Sequence, residues 1–287
     1  MKFKAVFATP KITLLILVLT LFGVLGAIGK GQNPFLNDSG RPLASLDRTL
    51  PSTYLNGCHL APDKSKPLPC IIVADEKKPL IYLVGDSHAA QWVPAFEKAH
   101  LSNFADVRFI TKSSCPFVSL KLTINCEAWV KNVIEEIRIN RPTAVVIANM
   151  TNASYFNFLT HNYYSNYFIQ QQEMLINEIS SYTYVALIED TPYSLIDTSE
   201  CLVFQSASNC EFIFQVSLLT LKLKELIEKN HFSYISFKKD LCNKNRCAAG
   251  DSLSNWYRDE HHISTVLAKR FGYSLRIHLE RIIQKMN

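Results

Sequence analysis

The segment AVVIA at 144–148 is apolar at every position, a pattern that belongs to a strand covered on both faces of its sheet. It lies in the third of five short β-like runs: PLIYLVG (79–85), VRFIT (107–111), TAVVIANM (143–150), YTYVALIED (182–190) and FSYISF (232–237). Helix-like stretches separate them at about 88–101, 127–140, 163–180 and 212–230, and a last one occupies about 264–285. Strands alternating with helices imply a parallel sheet with helices on both sides. Right-handed crossovers leave few topologies, and a five-stranded, flavodoxin-like α/β/α arrangement is the natural one. Ligands bind such sheets beyond the carboxyl ends of the strands. There the sequence places Gly85-Asp86-Ser87-His88, Asn149 and Asn152, and Asp190-Thr191.

The second constraint is ITLLILVLTLFGVLGAIG at 12–29, 18 residues without a charge. Lys2, Lys4 and Lys11 precede it and no acidic residue occurs before Asp38. It reads as one transmembrane helix with residues 1–11 in the cytoplasm and everything after it across the membrane. A cleaved signal peptide is the competing reading, although an Ala-x-Ala site is missing. Residues 30–74 are rich in Pro, Gly, Asn and Asp and read as a juxtamembrane linker, leaving 75–287 as one globular domain. Without the three N-terminal lysines the chain carries 27 basic against 25 acidic residues, so no basic footprint for nucleic acid exists.

All eight cysteines follow the apolar segment, as expected of an exported, disulfide-bonded chain. The simplest pairing joins neighbours: Cys58–Cys70, Cys115–Cys126, Cys201–Cys210 and Cys242–Cys247. Sequence alone does not fix connectivity. The spacings do not resemble paired C-x-x-C zinc knuckles, and neither a metal nor a cofactor is expected.

A serine hydroxyl needs a neighbouring base, usually a histidine oriented by a carboxylate. In LVGDSHAAQW (83–92), Ser87 is either such a nucleophile or the cap of the next helix. WYRDEHHIST (256–265) offers the partners. Asp259 and His262 are three apart, so one short loop can hold both. At the same spacing His261 would face Arg258, which cannot accept a hydrogen bond. His261 is therefore expected at the rim, with Asp86 and His88 in structural roles.

These stretches, with TKSSCPF (111–117), Cys126, Asp240-Leu241-Cys242 and CAAGDSLSNWYRDEHHIS (247–264), resemble the SGNH (GDSL-like) hydrolase family. The likeness is to the periplasmic SGNH domain of acyltransferase-3 proteins that O-acetylate surface polysaccharides, and covers about residues 75–285. It implies Ser87 as nucleophile and oxyanion donor, His262 as general base and Asp259 as its orienting partner. The family also takes oxyanion donors from a glycine after the second strand and an asparagine after the third. No glycine occurs here between Gly85 and Gly250. A backbone N–H of Ser113 or Ser114 is the expected substitute, with Asn152, or else Asn149, as side-chain donor.

The resemblance implies a bacterial inner-membrane protein with a periplasmic domain that acetylates a cell-envelope glycan. A separate multi-span acyltransferase would supply the acyl group. An SGNH esterase or deacetylase with the same triad, and a non-catalytic anchored glycan-binding or assembly protein, are the alternatives.

Overall fold

The computed structural model describes residues 46–68, 70, 77–101, 104–151, 162–194, 196–251 and 253–286. The apolar segment 12–29 and Asn152 lie outside the described residues. Among the described residues no helix is long and apolar enough to cross a membrane.

The chain alternates as its pattern requires. In order come α1 (Ser52–Leu55), β1 (His59–Leu60), β2 (Leu80–Gly85), α2 (Ser87–Ala90), α3 (Val93–Lys98), β3 (Asp106–Lys112) and α4 (Ile124–Asn140). There follow β4 (Ala144–Ala148), α5 (Asn162–Ile179), β5 (Tyr184–Ile188), α6 (Thr198–Phe204), β6 (Phe212–Ile213), α7 (Leu218–Lys229) and β7 (Ser233–Ile235). The chain closes with α8 (Lys238–Leu241), β8 (Cys242–Asn243), β9 (Arg246–Cys247), α9 (Thr265–Arg270) and α10 (Gly272–Met286).

The main sheet runs β1-β3-β2-β4-β5-β7, parallel throughout. Five of its six strands, β3-β2-β4-β5-β7, keep the flavodoxin-like order. The chain leaves β2 for β3 on one side and returns to β4 on the other, opening a crevice at the carboxyl ends of β2 and β4. Register aligns these ends, because Gly85 pairs with both Thr111 and Ala148.

Strand periodicity splits the core in two. Ile81 and Leu83 pack with Val93, Phe96, Leu267, Leu275 and Leu279, on the side of α3, α9 and α10. Tyr82 and Val84 pack with Trp129, Val133, Leu175, Ile176 and Leu223, on the side of α4, α5 and α7.

Three features depart from the expected pattern. The sheet has six strands rather than five, because β1 adds itself to the edge of β3, pairing His59 with Thr111 and Leu60 with Lys112. A two-residue strand is too short to carry a period-two signal. The stretch read as linker is thus structural in this part, and Asp47 binds it to the C-terminal loop. Asp47 N–H donates to Asn255 Oδ1 at 2.7 Å, and its carboxylate accepts from Thr265 Oγ1 at 2.7 Å and Val266 N at 3.0 Å.

The second departure is at 212–217, expected to be helical. Phe212–Ile213 instead forms a small antiparallel sheet with β8 and β9, and the helix starts at Leu218 after a Ser217 cap. The third is that the segments expected at 88–101 and 264–285 each fold as two helices, α2 with α3 and α9 with α10.

All four neighbouring cysteine pairs stand at disulfide distance, with Cα separations of 5.8, 5.5, 5.8 and 4.0 Å in chain order. Each closes a short loop and restricts the unfolded chain, by about 2–4 kcal/mol on the loop-entropy view. Cys115–Cys126 fastens the loop after β3 to the start of α4.

Candidate functional site

The crevice begins at Gly85, whose φ of +152° and close approach to β4 exclude any side chain. A Cβ there would stand 1.8 Å from the Ala148 carbonyl oxygen. Asp86 follows as the N-cap of α2. Its carboxylate accepts from His88 N at 2.8 Å and from Met150 N at 2.9 Å, joining β2 to the loop after β4. The capping task that Ser87 could have held therefore belongs to Asp86. Ser87 opens the helix half-buried, and neither its hydroxyl nor its N–H has a hydrogen-bond partner among the described residues.

Asp259 and His262 form the expected pair. One carboxylate oxygen accepts from the backbone N–H of His261 at 3.0 Å and of His262 at 2.7 Å, closing a tight turn. The other lies 2.8 Å from His262 Nδ1. Burial alone would raise the Asp259 carboxyl, but the bonds and charge of His262 outweigh it and hold the group well below the usual carboxylate range. Burial pushes the His262 imidazole down to about 3, assisted by the positive charges of His88 and Arg258 and opposed by its bond to Asp259. The ring is therefore neutral at pH 7. With its Nδ1–H on the carboxylate, Nε2 carries a lone pair, and that atom is buried with no partner among the described residues. This is the protonation state of a base.

A second carboxylate–histidine pair lies beside the first. His88 Nδ1 is 2.5 Å from Asp190 Oδ1, and the other Asp190 oxygen accepts from Thr151 N at 2.6 Å. His88 Nε2 reaches His261 Nδ1 at 3.1 Å, with the two rings stacked at 5.3 Å. The His88 ring also stands 4.9 Å from the His262 ring, centroid to centroid. Burial disfavours charge on His88, but the charge and bond of Asp190, with Asp86 and Asp259 behind it, hold its pKa above the ordinary value. Burial and this neighbouring charge push His261 down.

Gln91 connects the two ends of the site. Its side chain accepts from Ile263 N at 2.9 Å and donates to Thr191 Oγ1 at 3.3 Å. Neither Gln91 nor the pairing of Asp190 with His88 was evident from the sequence. Their one signal was that GDSH and EDT both end strands at the same edge.

The candidate oxyanion donors divide. Ser113 N–H donates to Leu60 O at 2.8 Å, in the ladder to β1, so that donor is committed to the sheet. Ser114 is exposed, has no backbone partner among the described residues, and adopts the left-handed conformation at φ +53°. A non-glycine residue there sits in a region that glycine fills more readily. Asn149 is buried and braces the same loop, accepting from Phe117 N at 2.8 Å and donating to Phe117 O at 3.4 Å.

No curated protein matches the chain. Among solved structures it is similar to the periplasmic domain of a lipopolysaccharide acetyltransferase from Salmonella ser. Paratyphi A. The TM-score is 0.55 at 16% identity, over 72% of this chain and 85% of that one, a likeness of fold. A carbohydrate esterase family 2 enzyme of Corynascus thermopiles, with its carbohydrate-binding domain, matches at TM-score 0.45 and 13% identity over 74% of this chain and 68% of that one. A family model described as "SGNH domain (fused to AT3 domains)" matches residues 57–275, which take in the Gly85–His88 turn and the Asp259–His262 loop, and the chain belongs to that family.

Proposed function

We propose that the protein is a serine acyl-transfer enzyme that O-acetylates a cell-envelope polysaccharide through an acyl-Ser87 intermediate. One observation carries this reading. His262 offers a buried, unpartnered Nε2 while Asp259 holds its Nδ1–H, at the crevice where Asp86 has taken over the capping that would have occupied Ser87.

Ser87 Oγ attacks the acyl carbonyl as His262 Nε2 takes its proton. The tetrahedral oxyanion is met by the N–H groups of Ser87 and Ser114. Collapse expels the donor's leaving oxygen or sulfur, which receives the proton from His262. The acceptor hydroxyl then attacks the acyl-serine and gives its proton to the same nitrogen. When the second tetrahedral species collapses, the proton returns to Ser87 Oγ. Asp259 stabilises the transient imidazolium and fixes its tautomer.

The apolar segment 12–29 would anchor the domain on the periplasmic face of the bacterial inner membrane. A family named for fusion to AT3 domains supports a multi-span membrane partner as the acyl donor. The lipopolysaccharide acetyltransferase domain supports a glycan hydroxyl as acceptor.

The test offers the full chain p-nitrophenyl acetate with and without an oligosaccharide acceptor, followed by intact-mass spectrometry. Acetylated sugar and a mass increment on Ser87, absent in Ser87→Ala, are expected. Hydrolysis without transfer would replace this reading by an esterase. Absence of any acyl-enzyme would leave a non-catalytic domain.

A further inference from the structure

The three imidazoles of the site have a property that acyl transfer does not use. His88, His261 and His262 each offer a ring nitrogen, and the three atoms lie within 4.8 Å of one another. Two of the rings are held from behind by carboxylates. Asp190 holds Nδ1 of His88 at 2.5 Å and Asp259 holds Nδ1 of His262 at 2.8 Å. Each leaves Nε2 as the remaining donor. This is the carboxylate–histidine support that orients the ligands of zinc sites and raises their basicity. The third donor, His261 Nδ1, lies 3.1 Å from His88 Nε2. Two nitrogens on a tetrahedral zinc ion, each bonded at about 2.0–2.1 Å, stand roughly 3.3 Å apart. One edge of the polyhedron is therefore within a few tenths of an ångström of its final length. The third corner is His262 Nε2, buried and without a partner among the described residues.

We propose that His88, His261 and His262 form a three-histidine site for a divalent transition metal, zinc being the one to test, and that its occupation switches the acyl-transfer chemistry off.

Binding takes lone pairs from His88 Nε2, His261 Nδ1 and His262 Nε2. The proton shared between His88 and His261 leaves to solvent, while both Nδ1–H groups stay on their carboxylates. The fourth position is left to water, as in other three-histidine sites. Imidazole donors suit zinc, nickel and copper, whereas magnesium and calcium prefer oxygen, so those two should not compete. Inhibition has a direct cause. The lone pair that accepts the proton of Ser87 is the one given to the metal. This second half rests on the acyl-transfer reading; the binding does not.

The experiment separates the two. The full chain, freed of metal with a chelator, is titrated with cobalt(II) chloride and with zinc chloride, by visible absorption and by calorimetry. One equivalent of each should bind, cobalt with the d–d spectrum of a tetrahedral site. His261→Ala should weaken zinc at least tenfold, and His261→Asp, which restores a ligand, should recover most of the loss. Ser87→Ala should bind zinc like the wild type. p-Nitrophenyl acetate turnover should fall with the same midpoint as zinc binding and return with excess chelator.

Absence of stoichiometric binding, or binding indifferent to His261→Ala, overturns the site. Binding with undiminished turnover overturns the switch. A chain inactive before zinc is added refutes the acyl-transfer reading, and the cobalt spectrum still decides the site.

Discussion

The site contains the same chemical pair twice, and the two copies hold their protons in opposite ways. Asp259–His262 and Asp190–His88 are both carboxylate–Nδ1 contacts, at 2.8 and 2.5 Å. Yet His262 is pushed down to about 3 while His88 is held above its ordinary value. Burial works against charge on both rings and does not distinguish them. The neighbours do. His262 faces two cations, His88 and Arg258, whereas His88 faces Asp190, Asp86 and Asp259. The carboxylates differ as well, since the Asp259 side chain is 36% exposed and that of Asp190 1%. The bond to a carboxylate therefore does not make a histidine a base. The charges around the ring decide whether it accepts a proton or keeps one.

The first pair should be the more sensitive to substitution. His262→Ala should lower acyl-transfer turnover by about 10⁴–10⁶-fold, the scale of losing the base of a serine triad. Stopped-flow acylation with p-nitrophenyl acetate measures it, and a loss below about a hundredfold would remove His262 from the chemistry. Asp259→Asn should cost about 10⁴-fold. An amide can donate to Nδ1 and turn the ring into the wrong tautomer, with the proton on Nε2.

The second pair should respond differently. Asp190→Asn leaves His88 without its counter-charge, and breaking a buried pair costs about 3–5 kcal/mol of stability. Its rate effect should be far smaller than that of Asp259→Asn, in the range of about 10–100-fold. The acid limb of kcat/KM should also move to higher pH. A neutral His88 no longer repels a proton from His262, so the base protonates sooner. Guanidinium unfolding and pH–rate profiles of the two variants, side by side, decide the matter. Equal rate losses would mean that both pairs take part in proton transfer.

The parts of this arrangement legible in sequence were those carried by short contiguous runs. AVVIA, LIYLVG and the D-x-x-H spacing each constrain their own backbone, so five of the six main-sheet strands and the Asp259–His262 pair could be read locally, whereas the cysteine connectivity, left open by the sequence, follows the simplest neighbour pairing. What was not legible depends on contacts across the fold. His88 meets Asp190 only because β2 and β5 both end at the same sheet edge, 102 residues apart in sequence. Strand β1 exists because β3 offers it a free edge, and two residues leave no periodic trace. Ser114 takes a left-handed φ, which nothing in TKSSCPF announces. Asp86 as the N-cap was hidden for a different reason. Asp and Ser are both good caps, and only the placement of His88 N and Met150 N around one carboxylate tells them apart.

The two pairs are set most directly against each other by stability as a function of pH, where the effect per pH unit is small. An unfolded histidine titrates near about 6.5. The folded-state value of His262 is depressed to about 3, so its contribution is complete above pH ~6.5 and is lost as pH falls from there toward 3. The folded-state value of His88 is raised, so its contribution is complete below pH ~6.5 and is lost as pH climbs through the folded value. Each slope is at most about 1.4 kcal/mol per pH unit for one proton. The two contributions are complete together only near pH 6.5, where their sum peaks. Subtracting the urea-unfolding stability of His262→Gln from that of the wild type should leave a difference that shrinks toward acid. The same subtraction with His88→Gln, or with Asp190→Asn, should leave one that shrinks toward alkali. Two differences with the same sign of slope would show that the two imidazoles hold the same protonation state, and the contrast between the pairs would be gone.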